Sequence, residues 1–88
     1  MAAPSLAREI GPDGVTVNSI APGRIETERL AEVYVNRSPE DDLATIPLRR
    51  FGQPAEVGDV VCFLASDRAA YITGAVIPVD GGLTRFLL

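Results

Sequence analysis

The clearest hydrophobic rhythm in the chain runs from Pro54 to about Ala65. There Val57, Val60, Val61 and Leu64 recur at the i, i+3, i+4, i+7 spacing of one helix face. Pro54 suits the first helical position, where its missing N–H costs nothing, and Glu56 sits near the positive end of the helix dipole. Ser66-Asp67 closes the helix. Gly58 in its interior costs about 1 kcal/mol relative to Ala, which predicts a second backbone packed closely against it. Leu6, Ala7 and Ile10 also have helical spacing and read as the last turns of a longer helix. Gly11-Pro12 stops it, with Gly as a left-handed cap and Pro unable to continue the ladder. A third helix is expected over Glu28 to Tyr34, with Leu30, Ala31 and Tyr34 on one face and Thr27 as its N-cap. Ser38-Pro39-Glu40 starts a further short one.

Two segments read as strands. Val15 to Ile20 is a β-branched run that predicts a buried strand, ended by Ala21-Pro22-Gly23. Ala75 to Val79 predicts a second. Pro78 cannot donate a ladder hydrogen bond and marks that strand as an edge. Asp80-Gly81-Gly82 breaks it, and Leu83 to Leu88 forms a short apolar tail. Ile46 to Gly52 is an irregular connector, and Ala69 to Thr73 a short bridge with Gly74 as a turn. The order of helix, strand, helices and strand suits one right-handed crossover in a parallel sheet. Two strands with these helices cannot cover both faces of such a sheet, so the pattern is part of an α/β fold.

Composition removes several kinds of chemistry. Apolar residues make up 47% and charged residues 23% of 88 residues, values that suit a soluble globular chain. The net charge of -4 speaks against nucleic-acid binding, which needs a basic patch. The sequence holds no His and no Lys, so all eight cationic side chains are Arg, which does not exchange protons near neutral pH. A lone Cys62 builds neither a disulfide nor a zinc site, and a reducing, cytoplasmic setting is expected. No charged leader with an apolar run opens the chain, and no stretch approaches the roughly 20 apolar residues of a membrane span.

Five segments, in order and at matching spacing, resemble the short-chain dehydrogenase/reductase family. They are Leu6 to Asn18, Pro22-Gly23-Arg24-Ile25-Glu26-Thr27, Ile46 to Val57, Phe63 to Gly74, and Val79-Asp80-Gly81-Gly82. The nearest likeness is to the group called 3-oxoacyl-acyl-carrier-protein reductases. The resemblance implies the C-terminal part of a doubly wound, Rossmann-like parallel sheet, here two strands with flanking helices. It implies hydride transfer between NAD or NADP and an alcohol or ketone as the parent reaction. The family's Gly-rich cofactor loop and its Tyr-x-x-x-Lys pair are absent: Tyr34 is followed four residues on by Ser38, and Tyr71 by Ala75. No catalytic residue is therefore assigned, and the chain alone is expected to bind neither dinucleotide.

Pro22, Gly23, Ile25 and Thr27 are the candidate cofactor-binding residues by this resemblance. Thr27 would bond the cofactor's phosphate or carboxamide. Pro22 and Gly23 would shape the wall beside the nicotinamide, with the Ile25 amide reaching its carboxamide. In an isolated chain the same residues read as a helix cap and a Pro-Gly turn. Asn18 is expected to satisfy backbone groups, Asp80 to tie down the Gly81-Gly82 turn, and Arg50 to pair with Glu56. Cys62 is expected to be a small buried hydrophobe. Glu40-Asp41-Asp42 reads as a solvated loop rather than a metal site, in the region that the resemblance makes a substrate lid.

Three accounts of function remain: a partial dehydrogenase without turnover, a non-enzymatic association module, and one half of a split enzyme completed by an N-terminal half. In the family the last long helix and terminal strand form subunit contacts, which implies self-association through residues 54–65 and 75–79. Neither nucleic acid nor membrane is expected as a partner. The exposed edge of the Val15–Ile20 strand predicts poor solubility or association.

Overall fold

The computed structural model describes residues 2–84. Helix α1 covers Ala2–Ile10 and passes into a 3-10 turn at Gly11–Asp13. The left-handed residue that ends this unit is Gly14, with φ 78°, and its N–H bonds the Gly11 carbonyl. Gly11 is thus not the left-handed cap expected of it. Pro12 supplies the φ of a tight turn, which extends the coil by three residues before Gly14 reverses it.

Strand β1 is Ser19–Pro22 and β2 is Val76–Val79, paired in parallel with Ser19 opposite Val76 and Pro22 opposite Val79. Between them lie α2 (Glu28–Val33), α3 (Glu40–Thr45), α4 (Pro54–Leu64) and a 3-10 turn at Asp67–Ala69. The α/β class and the parallel crossover agree with the sequence pattern. The position of β1 does not: it begins four residues later than expected and includes Pro22. Opposite Val15–Asn18 the chain bends at Gly74, whose φ is 72°, and no parallel ladder can form there. One backbone bond, from Gly74 N–H to the Val17 carbonyl at 2.7 Å, holds that stretch together with side chains. Val17 N–H donates to Thr73 Oγ1 at 3.0 Å, and the Asn18 amide donates to the Ile72 carbonyl while accepting from Ala75 N–H, both at 3.1 Å. Asn18 does satisfy backbone groups, as expected.

The capping signals are confirmed. Thr27 Oγ1 accepts from Leu30 N–H at 3.2 Å and starts α2. Glu56 reaches back to the Gln53 N–H at 2.9 Å and anchors α4. Three packing expectations fail. The acidic run Glu40-Asp41-Asp42, expected as a solvated loop, forms the first turn of α3, the short helix expected to start at Ser38-Pro39-Glu40, since three carboxylates suit the positive helix end. Gly58 meets nothing within 4 Å, so no backbone packs on it. Cys62 is exposed, because α4 buries none of its residues. The apolar tail expected at residues 83–88 lies, beyond Thr84, outside the described residues.

The core is small. Among the described residues Ala3, Ala7, Ile46 and Ala69 are the buried apolar side chains, and of these only Ile46 is large, at 1% exposure. A cavity of about 300 Å³ separates Asn18 and Ile20 from Val61 and Leu64, so α4 does not close onto the sheet. The Cα radius of gyration is 15.9 Å, against about 12 Å for a compact domain of this length. The chain is elongated, with two apolar faces left open.

Candidate functional site

The segment after β1 is shaped by close backbone approaches. A Cβ on Gly23 would stand 2.6 Å from Asp80 Cβ and 2.8 Å from Asp80 Cα, so only glycine lets the ends of β1 and β2 come this near. Gly23 N–H donates to the Val79 carbonyl at 3.0 Å and forms the last rung. The loop then pairs with the connector at Gly52, whose N–H donates to the Arg24 carbonyl at 2.9 Å and whose carbonyl accepts from Glu26 N–H at 2.8 Å. Neither bond uses the Ile25 amide. A Cβ on Gly52 would lie 2.8 Å from Ile25 Cδ1, the far end of a flexible side chain that can turn aside. Thr27 spends one lone pair on its cap and keeps a hydroxyl proton to donate. Pro22, Gly23, Ile25 and Thr27 thus lie on one continuous loop, and the Ile25 amide and the Thr27 hydroxyl proton are among its polar groups not used in these bonds.

A second cluster has no counterpart among the sequence expectations. Asp42 Oδ2 accepts from the Tyr34 hydroxyl at 2.6 Å and from Arg37 Nη2 at 2.7 Å, with Arg24 Nη1 at 3.3 Å. The Tyr34 ring stacks on Phe51 with centroids 5.5 Å apart, and the Arg37 guanidinium lies 5.7 Å from the Tyr34 centroid. The Tyr34 hydrogen bond, with the charges of Arg24 and Arg37, holds the Asp42 carboxyl below its usual range. The same hydrogen bond raises the Tyr34 phenol. A tyrosine that trades protons near neutrality needs the opposite shift. The contacting pairs are three to eighteen residues apart and span several elements, a spacing that carries no local sequence signal.

Arg50 and Glu56 form the expected pair, bidentate at 2.7 and 2.9 Å, and this contact depresses the Glu56 carboxyl to about 2. They line one wall of an open groove of about 460 Å³ whose other wall is Val79 to Gly82. Asp80 ties the turn as expected, accepting from Gly82 N–H at 2.9 Å and Thr84 N–H at 3.0 Å. The Thr84 side chain and these amides keep its carboxyl low. Both charged walls are therefore already satisfied. Among the described residues no group of three or more His, Cys, Asp or Glu could hold a metal ion, and no helix is long and apolar enough to cross a membrane.

The geometry can be set beside known proteins. A family model described as enoyl-(acyl carrier protein) reductase matches residues 2–84. Cyclohexanol dehydrogenase of Rhodococcus sp. (strain TK6) is 52% identical over 79 residues, which cover 90% of this chain and 29% of that protein. The 3-oxoacyl-[acyl-carrier-protein] reductase FabG of Pseudomonas aeruginosa is 51% identical over 79 residues, or 90% of this chain and 32% of the relative. In three dimensions the crystal structure of YwfH, an NADPH-dependent reductase involved in bacilysin biosynthesis, superposes with a TM-score of 0.88 at 33% identity. That match covers 98% of this chain and 36% of YwfH. The chain spans less than a third of the length of the sequence relatives. It belongs to the short-chain dehydrogenase/reductase family of oxidoreductases, in the group whose model carries the enoyl-(acyl carrier protein) reductase description.

Proposed function

We propose, with that membership as premise, that the chain is the C-terminal part of an NAD(P)-dependent oxidoreductase and has no turnover of its own. The parent reaction is hydride transfer between NAD(P) and an alcohol or ketone. The observation that carries this reading is the Pro22–Thr27 loop, pinned between the strand end and Gly52 with the Ile25 amide and Thr27 hydroxyl left free. Those two groups fit one polar end of a nicotinamide. Nothing else among the described residues forms a cradle for a pyrophosphate, so the site holds at most a corner of the dinucleotide.

Inactivity of the isolated chain is supported by its side chains. The family's acid–base residue is a tyrosine paired with a lysine, and with no Lys in the sequence its two tyrosines have no such helper. Tyr34 is locked to Asp42 with its phenol raised, and Tyr71 is fully exposed, with no basic partner. Titrating NADH and NADPH into the purified chain by calorimetry is expected to give no saturable heat. Tight coenzyme binding, or carbonyl-dependent oxidation of either, would refute the inactive reading. The reading frame upstream is expected to encode the Gly-rich motif and the Tyr-x-x-x-Lys pair, either in one polypeptide or as a separate N-terminal half. The cytoplasm is the proposed compartment, which the unpaired Cys62 suits.

A second reading, self-association, is favoured by α4. Its Val61 and Phe63 are 49% and 44% exposed on a helix with no buried residue. Size-exclusion chromatography is expected to show a species larger than the monomer, and a monomer at high concentration counts against it.

A further inference from the structure

We propose that Asp42 is a positioning residue: together with Tyr34 and Arg24 it latches a two-helix cap, α2 and α3, onto the Gly23–Thr27 loop. The inference rests on the proposed coenzyme-facing role of that loop for its functional meaning, and on geometry alone for the latch. Helices α2 and α3 have six residues each and bury none of them. Isolated helices need on the order of 12–15 residues to persist in water, so these two depend on tertiary contacts. Substantial packing between elements joins β1 to β2, α1 to its 3-10 turn, and α4 to the Asp67–Ala69 turn, and includes neither α2 nor α3.

Ile46, buried just past the end of α3, anchors the C-terminal end of that helix, and the rest of the cap is held by a closed circuit of side chains. Arg24, on the loop, meets Asp42 on α3 at 3.3 Å and the Tyr34 hydroxyl at 3.4 Å. Tyr34 ends α2 and donates to Asp42 at 2.6 Å. Its ring stacks on Phe51, and the next residue, Gly52, returns to the loop through its bonds to the Arg24 carbonyl and Glu26 N–H. One carboxylate oxygen thus ties three segments that local sequence does not tie. The Asp42 side chain is only 14% exposed, which limits competition from water. Opening the latch frees α2 and α3 together and leaves the sheet and α4 as they are.

The test is amide hydrogen exchange on the full 88-residue chain without coenzyme, comparing wild type, Asp42→Asn and Tyr34→Phe. Asp42→Asn keeps the shape and removes the charge. Amides of 28–33 and 40–45 are expected to exchange roughly tenfold faster, while those of 54–64 and 76–79 keep their rates. Tyr34→Phe is expected to give a smaller increase in the same segments, and it carries the test if Asp42→Asn does not fold. A spectroscopic signature separates the latch from general loosening: the Tyr34 phenol, raised in the wild type, is expected to return toward its ordinary value in Asp42→Asn. Unchanged exchange in 28–45, or an equal rise across the whole chain, overturns the latch. Coenzyme binding by the chain would bear on the proposed function and leaves these readings intact.

Discussion

Replacing Gly23 with Ala perturbs the point where fold and candidate site meet. Gly23 does not adopt a left-handed φ, so the backbone itself would accept alanine. The objection is spatial. The new methyl would lie 2.6 Å from Asp80 Cβ and 2.8 Å from Asp80 Cα, where carbon atoms rest at about 3.5–4.0 Å. Neither contact is the far end of a flexible side chain, so the strand ends must part by about 1 Å. The rung from Gly23 N–H to the Val79 carbonyl, 3.0 Å long, then stretches beyond hydrogen-bonding length. Overpacking costs about 1–3 kcal/mol and a lost hydrogen bond about 0.5–1.5 kcal/mol, so Gly23→Ala is expected to destabilise by roughly 2–4 kcal/mol. Urea unfolding followed by far-ultraviolet circular dichroism measures this directly. A small domain loses about 1 kcal/mol per molar urea, so the midpoint should fall by 2 M or more, roughly, or the variant should be unfolded without urea. A Gly23→Ala chain with the wild-type midpoint would falsify the close approach of the two strand ends.

Gly58→Ala makes the opposite prediction, a gain of about 0.5–1 kcal/mol in the same urea assay, because its Cβ meets nothing within 4 Å inside a helix. A loss there would mean that another backbone sits on α4 in solution. The Glu56 carboxyl is depressed from 4.5 to about 2 by Arg50, so the folded state binds fewer protons than the unfolded one as pH falls. The pair's stabilisation is full above pH 4.5, shrinks below it, and is gone once the pH drops through about 2. Arg50→Gln should flatten that part of the stability–pH curve, and an unchanged curve would remove the pair from the account. Val61→Glu on the open face of α4 should lower hydrophobic-dye binding and shift the chain toward monomer on size exclusion, and equal dye binding would place the sticky surface elsewhere.

Local chemistry was legible in the residues; closure between elements was not. Thr27, Pro54 and Glu56 announce helix starts because a cap acts within three or four residues of where it sits. Asp80 and Arg50 were readable for the same reason, as each finds its partner within six residues. The start of β1 was misjudged because β-branched residues report a preference for extended backbone, whereas a strand also needs a partner. The bend at Gly74 leaves Val15–Asn18 a single backbone bond, to the Val17 carbonyl, in place of a ladder. The Asp42 cluster escaped because it joins Arg24, Tyr34 and Arg37 across three elements, and an acidic run looks the same whether its carboxylates face water or a guanidinium. Pro22, Gly23, Ile25 and Thr27 were found through their resemblance to a family, and the structure adds why Gly23 has to be glycine.

The misplaced burial of Cys62 and Gly58 has one common cause. Both expectations assume that an apolar helical stripe faces a closed core, and the stripe on α4 is only half covered, with Val57, Val60 and Leu64 half-buried and Val61 exposed. Of a chain that is 47% apolar, the described residues bury one large side chain, Ile46. Burying a Val, Leu or Phe yields about 1.5–3 kcal/mol, so Val61 and Phe63, and in part the half-buried Val57, Val60 and Leu64, represent a stabilisation that the described fold leaves uncollected. β1, with β2 on one side, has an open edge on the other, and the cavity between Ile20 and Leu64 lies between that strand and α4. YwfH superposes on nearly all of this chain with only 36% of its own length, which leaves ample polypeptide in such a protein to cover an edge and a face. The exposed Val61 and Phe63 on α4 suit the proposed cover by polypeptide beyond these residues. The proposed N-terminal portion and a second copy of the chain are the two candidates, and they make different demands. An N-terminal portion must add a strand beside β1, whereas a second copy need only cover α4, so exchange protection gained at Ser19–Pro22 on complementation would decide for the former.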